Sequence, residues 1–141
     1  MPARARGIRL GDVLEREIER EAEWRGKSWS ATTAELLTEA IRMRRAPGVI
    51  FADGQMGRRA LVSGTGLEVW EIVATWKEGG CSFQALREDH EWLSEAQLRA
   101  ALSYYELYPE EIDARLERER RWAPETVRKE LPFSRLSESG R

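Results

Sequence analysis

The segment Gly7-Ile-Arg-Leu10 precedes two amphipathic helical stretches, which Gly26-Lys-Ser-Trp-Ser30 separates. Ile8 and Leu10 share one face of an extended chain, and Arg9 lies on the other. One short strand followed by two helices cannot enclose a core alone, so we expect two copies to pair. The paired strands would form a ribbon above four helices, and ribbons of this kind enter the DNA major groove.

The two helices each carry a periodic apolar face that predicts burial. Asp12 offers a cap for the first helix, and Gly26 ends it. Pro47 and Gly48 end the second helix. The expected buried residues are Leu14, Ile18 and Ala22 in the first helix, and Thr33, Leu37, Ala40 and Ile41 in the second.

With this pattern, residues 7–45 resemble a ribbon-helix-helix DNA-binding domain. The resemblance implies that outward strand residues read bases and that the start of the second helix binds a phosphate. It assigns DNA binding to Arg4, Arg6, Arg9, Lys27, Ser28, Trp29 and Ser30. The alternative is a two-helix dimerisation arm that contacts no DNA.

Charge is distributed unevenly along the 141 residues, whose formal net charge is -2. Residues 1–45 hold 10 Lys/Arg against 8 Asp/Glu, whereas residues 46–108 hold 5 against 9. The N-terminal excess favours a phosphate partner there. Cys81 is the only cysteine, and no apolar run approaches the ~20 residues of a membrane span. We therefore expect a cytoplasmic protein that does not engage a membrane.

The middle of the chain predicts a hairpin followed by three short helices. Two apolar runs flank the turn signal Asp53-Gly54, and a helical face follows at Val69, Ile72, Val73 and Trp76. Ser82 and Ser94 are candidate caps for two further helices. We predict a mainly α fold with three domains: a ribbon-helix-helix domain at 1–46, a helix-turn-helix-like bundle at 47–108 and a C-terminal helical tail at 109–141.

Residues 59–105 resemble domain-of-unknown-function family four hundred and thirty-three (DUF433). The matching residues are Gly64, Thr65, Val69, Gly80, Ser82, Leu93, Ser94, Leu98, Ala101, Leu102 and Tyr104. Members of that family occur in VapB-type antitoxins, whose partners are toxins resembling PIN-domain ribonucleases. A helix-turn-helix-like bundle could be a second DNA reader, but its acidic charge favours a protein-interaction or dimer-packing unit.

The tail carries aromatic and basic residues on a segment too charged to form its own core. Trp and Phe anchors of this kind fit a partner's groove, and arginines could reach an acidic nuclease cleft. The candidate toxin-binding residues are Arg115, Arg118, Arg121, Trp122, Leu131 and Phe133. The alternative is an ordinary helix that packs back on the middle domain.

No catalytic pattern is evident, since His90 and Cys81 belong to no common motif. We expect no enzyme activity, no metal site and no cofactor. The preferred interpretation is an antitoxin of a type II toxin-antitoxin system, which inhibits a PIN-like ribonuclease toxin. As a homodimer it would bind operator DNA and repress its own operon, with toxin joining dimers into a higher oligomer. The alternative function is a free-standing ribbon-helix-helix transcriptional regulator.

Overall fold

A computed structural model describes residues 3–55 and 57–125, and it confirms a mainly helical protein with one small hairpin. The chain divides into an N-terminal unit, Met1–Arg42, and a C-terminal unit, Met43–Arg141. Among the described residues, no helix has both the length and the apolar composition that crossing a bilayer requires.

The N-terminal unit consists of an extended segment and two helices, α1 (Asp12–Arg25) and α2 (Trp29–Arg45), the second of which runs past the unit's last residue. Gly26 ends α1 in the left-handed region at φ 63°, which glycine adopts without a steric penalty. Ser28 caps α2, because its Oγ accepts a hydrogen bond from the Ala31 amide at 3.1 Å. The predicted division into two helices at Gly26 is therefore confirmed.

The faces that these helices bury within one chain differ from the predicted ones. Ile18 and Ala22 of α1 are buried as expected, but Leu14 is 47% exposed. In α2 the buried residues are Thr32 and Glu39, and the predicted residues Leu37, Ala40 and Ile41 are exposed, while Thr33 is half-buried. Within one chain, the burial predicted for Leu14, Leu37, Ala40 and Ile41 is therefore wrong.

The C-terminal unit begins with an antiparallel hairpin of β1 (Val49–Gly54) and β2 (Gly57–Val62). Val49 pairs with Val62 and Gly54 with Gly57 across the two strands. Four helices follow the hairpin: α3 (Val69–Glu78), α4 (Phe83–Asp89), α5 (Glu95–Leu107) and α6 (Pro109–Arg121).

Two of the predicted helix caps are present. Ser82 Oγ accepts from the Ala85 amide at 3.2 Å, and Ser94 forms a capping box with Gln97. The predicted α3 face is also confirmed, because Val69, Ile72 and Val73 are fully buried. These side chains form one core with Val49 and Val62 of the hairpin and with Leu98, Ala101 and Tyr104 of α5.

Helix α6 packs against this same core. Ile112 is 4% exposed, and Leu116 lies against the cluster as a partly buried residue. Its contacts are with α3 and α5. The first part of the predicted tail is therefore an integral layer of the C-terminal unit.

Tyr104 links α5 to α6, because its hydroxyl donates a 2.6 Å hydrogen bond to Glu111 Oε2 while its ring is fully buried. We expect Tyr104→Phe to lower the free energy of unfolding by about 1–3 kcal/mol, since a charged acceptor loses its donor. Urea denaturation measures this change. Tyr105→Phe is the control, because Tyr105 bonds the exposed Asp113, and an equal loss in both variants would contradict the prediction.

Candidate functional site

The N-terminal arm, residues 3–10, has no helical or strand hydrogen bonding within the single chain. Arg4, Arg6 and Arg9 are exposed, and Ile8 is 75% exposed. None of the three arginines forms an ion pair with another residue in the described part of the chain. The arm therefore presents three free positive charges beside an uncovered apolar side chain.

The turn between α1 and α2 brings the other predicted DNA-binding residues together. Ser28 and Ser30 are exposed and Trp29 is half-buried, so the first turn of α2 lies at the surface, where Ser28 Oγ already accepts from the Ala31 amide. No acidic residue occupies this first turn. Lys27, however, is already paired, because its Nζ lies 2.7 Å from Glu35 Oε2. The helix start thus fits a phosphate better than Lys27 does.

A buried arginine organises the carboxylates of the N-terminal unit. The Arg25 side chain is 6% exposed and contacts Glu21 at 3.1 Å, Glu35 at 3.0 Å and Glu39 at 3.6 Å. The contact between Nη1 and Glu35 is an ion pair without good hydrogen-bond alignment, since this nitrogen has no hydrogen-bond partner. The sequence alone did not predict this network, whose one local signal is the i,i+4 spacing of Glu21 and Arg25.

Four of the predicted toxin-binding residues are described, and they differ in environment. Arg115 is half-buried, pairs with Glu119 at 2.8 Å and lies 5.1 Å from the Trp70 ring centroid. Arg118 is exposed and pairs with no carboxylate in the described part of the chain. Arg121 is 73% exposed at its side chain and lies 3.9 Å from a glutamate of the preceding turn.

Trp122 follows α6 directly and is 71% exposed. An exposed indole at a helix end is the type of anchor that a partner protein can cover. Leu131 and Phe133, the remaining two predicted contacts, lie outside the described residues.

The hairpin and α6 face each other across a cleft that we call the arginine groove, defined by Arg58, Arg59, Arg115 and Arg118. Its main cavity measures about 720 Å³ and is lined also by Asp53 and Glu68. A cavity of about 410 Å³ adjoins it on α6, where Trp122 and Glu119 lie beside Arg115 and Arg118. Sequence reasoning found only the α6 side of this groove, because no local pattern reveals that the hairpin packs near α6.

A half-buried tyrosine and two exposed charged groups join α3, α5 and α6. The Tyr105 hydroxyl donates a 2.8 Å hydrogen bond to Asp113, and Lys77 Nζ lies 3.2 Å from the same carboxylate. The hydrogen bond from Tyr105, followed by that from Lys77, holds the pKa of Asp113 below its usual value. The pKa of Lys77 is raised, first by its contact with Tyr105 and then by Asp113.

The signs of these shifts give a pH prediction. The contribution of Asp113 to stability is complete above pH 3.8 and is lost as pH falls through its lower folded pKa. That of Lys77 is complete below pH 10.5 and is lost as pH rises through its higher folded pKa. We expect Tyr105→Phe to bring both pKa values nearer to 3.8 and 10.5 in an NMR titration. An unchanged Asp113 pKa would refute the assigned cause, and Tyr104→Phe serves as the control.

Among the described residues, the hydrogen bond and the ring contact of His90 involve Leu86 and Trp92 and not Cys81. His90 is buried at the end of α4, where its Nδ1 lies 3.2 Å from the Leu86 carbonyl oxygen. His90 thus contacts a carbonyl oxygen in the last turn of this helix. Cys81 is exposed and has a positive φ of 60°. Over residues 3–55 and 57–125, no three His, Cys, Asp or Glu side chains are grouped closely enough to hold a metal ion.

Residues 49–105 match the model of a protein family described as Protein of unknown function (DUF433). The matched segment runs from the first residue of β1 to Tyr105 in α5, and it confirms the resemblance predicted from the sequence. No curated protein and no solved structure matches the chain. The family match thus covers the hairpin, α3, α4 and most of α5. The description of that family assigns it no function.

Proposed function

We propose that the protein is the antitoxin of a type II toxin-antitoxin system. Its N-terminal unit would form a ribbon-helix-helix homodimer on operator DNA, and its C-terminal residues would bind and inhibit a PIN-like ribonuclease. The single observation that carries the proposal is the exposed apolar face of α2, where Leu37 and Ile41 are each 57% exposed. Such a face in a unit of this size is best explained by a second copy that covers it.

Pairing of two copies would also account for the extended arm. Ile8 of each copy would gain an apolar neighbour, and the two Arg9 side chains would lie together on the opposite face of the ribbon. Arg4 and Arg6 would flank this ribbon, so that the dimer would concentrate positive charge from both arms. Free guanidinium groups and the open first turn of α2 together suit a phosphate backbone.

The toxin-binding half of the proposal is supported by α6 and by the matched family. Trp122 and Arg118 are both exposed, and Arg118 has no carboxylate partner among the described residues. Residues 49–105 match the DUF433 family. The resemblance to that family is what suggests an antitoxin of VapB type. An exposed indole beside a free cation is suited to the acidic surface of a nuclease.

Two measurements on the full chain test the proposal. Fluorescence anisotropy with the upstream promoter DNA, at two salt concentrations, should show salt-sensitive binding. Co-expression with the product of the adjacent reading frame should yield a stable complex in which its ribonuclease activity is suppressed. DNA binding without such a complex would indicate the free-standing regulator instead. Absence of salt-sensitive DNA binding would contradict the DNA-binding half and leave a dimerisation scaffold.

A further inference from the structure

Of the four arginines that define the arginine groove, two form ion pairs with carboxylates among the described residues and two do not. Arg58 is paired with Asp53 at 3.0 Å, and Arg115 is paired with Glu119 at 2.8 Å. Arg59 donates only to a main-chain oxygen, that of Asp53, at 3.2 Å.

The carboxylates that line the groove are all engaged within the protein. Asp53 accepts from Arg58, and Glu68 caps α3 while lying 3.7 Å from Arg115. Glu111, which lines a smaller cavity of the same groove, accepts the Tyr104 hydrogen bond. Arg59 and Arg118, both of which line the main cavity, therefore have no carboxylate partner among residues 3–55 and 57–125.

We propose that the arginine groove binds a partner-protein segment that presents carboxylates beside an apolar side chain. Carboxylates would pair with Arg59 and Arg118, whose planar guanidinium groups can donate two parallel hydrogen bonds to one carboxylate. The apolar side chain would enter the adjoining cavity against Trp122, whose wall is mostly apolar. The inference rests on the proposed function for the identity of the partner, and it adds the chemistry by which that partner is recognised.

The charges around the groove favour a peptide over a nucleic acid. Glu68 and Asp53 line the main cavity, and Glu119 lines the adjoining one. A phosphate backbone that follows the groove would pass beside these carboxylates, which repel it. A peptide needs only two well-placed carboxylates, and its main-chain amides can face the acidic residues of the lining.

The test uses the full chain and three fluorescein-labelled probes in anisotropy titrations. The first probe is a peptide that alternates glutamate and leucine, the second replaces each glutamate by glutamine, and the third is an oligothymidylate of equal charge. We expect the glutamate peptide to bind best. The double variant Arg59→Gln/Arg118→Gln should reduce its affinity about tenfold, because two ion pairs are lost.

Arg120→Gln is the matched control, because Arg120 lies on α6 and lines neither of the two cavities. Equal binding of the glutamine peptide, no binding of the glutamate peptide, or an equal loss in the control would overturn the proposal. Tighter oligothymidylate binding that depends on Arg59 and Arg118 would also overturn it, and would identify a phosphate site. If the adjacent gene product forms no complex but the glutamate peptide binds through these arginines, the proposed function fails and the acidic-ligand site remains.

Discussion

Replacing Leu37 and Ile41 together by glutamate is expected to make the protein monomeric and to weaken promoter binding about 100-fold. Both side chains are more than half exposed in the single chain. A symmetric dimer contains both residues in each of its two copies, so four apolar side chains would be buried. Full burial of such a side chain contributes about 1.5–3 kcal/mol, and each of the four is 57% exposed, so covering them contributes roughly 3–7 kcal/mol. Four carboxylates in that interface would remove this stabilisation and add repulsion.

The effect on DNA follows from the loss of the second copy. A monomer would have one arm and one helix start, and thus about half of the phosphate contacts of the dimer. Sedimentation velocity measures the oligomeric state, and anisotropy with promoter DNA at fixed salt measures the affinity. The intrachain fold should persist, because Leu37 and Ile41 lie opposite the face that holds Thr32 and Glu39.

The matched control replaces Ile50 and Leu107 by glutamate. These two residues are 41% and 42% exposed, lie in the C-terminal unit and reproduce the same pair of chemical changes. We expect the control protein to remain dimeric and to bind DNA as the unmodified chain does. If the Leu37/Ile41 variant also stays dimeric, the apolar face of α2 is not the dimer interface and the ribbon-helix-helix arrangement is wrong.

Local patterns in the sequence predicted the elements of the C-terminal unit well. The spacing of Val69, Ile72 and Val73 identified the buried face of α3, and Ser94 with Gln97 identified the start of α5. Each of these signals depends on residues within two turns of one helix. They could therefore be read without knowledge of the tertiary structure.

The sequence did not predict in the same way which part of the protein covers an apolar helix face. Periodicity marks Leu37 and Ile41 as residues to be buried, but it does not say whether α1 or a second copy covers them. In the single chain, α2 directs Thr32 and Glu39 inward instead, and Arg25 is buried among carboxylates. Arginine and glutamate more often lie on a solvated surface. Whether a given pair is buried therefore depends on the tertiary structure.

The arginine groove illustrates the same limit for the candidate site. Arg115 and Arg118 were singled out from the charge of α6, whereas Arg58 and Arg59 were not. The two pairs are distant in sequence, and only the packing of the hairpin and α6 around one core brings them to one groove. The preferred interpretation of the sequence placed α6 in a partner-binding tail, and the burial of Ile112 supports the alternative, a helix that packs back on the middle domain.

Deleting residues 109–141 is expected to disrupt the C-terminal unit and not merely to remove a partner-binding segment. The deletion exposes the core that Ile112 and Leu116 cover, and it leaves the buried Tyr104 hydroxyl without Glu111. Burial of the two aliphatic side chains contributes about 3–5 kcal/mol, and loss of the hydrogen bond from Tyr104 to a carboxylate costs about 1–3 kcal/mol more. Together these losses are comparable to the ~5–15 kcal/mol by which a small domain is stable.

Urea denaturation followed by tryptophan fluorescence can measure this loss, since Trp70 and Trp76 lie in α3 and pack against the affected core. The comparison protein lacks only residues 126–141 and keeps α6, so its midpoint should fall far less. DNA binding should survive in both truncated proteins, because the arm and the start of α2 are retained. If the chain that ends at Tyr108 unfolds at the same urea concentration as the full chain, α6 contributes nothing to the core. If the truncated chain is destabilised as expected, its loss of partner binding would reflect unfolding. Substitutions at Arg118 and Trp122 therefore provide the test of direct contact.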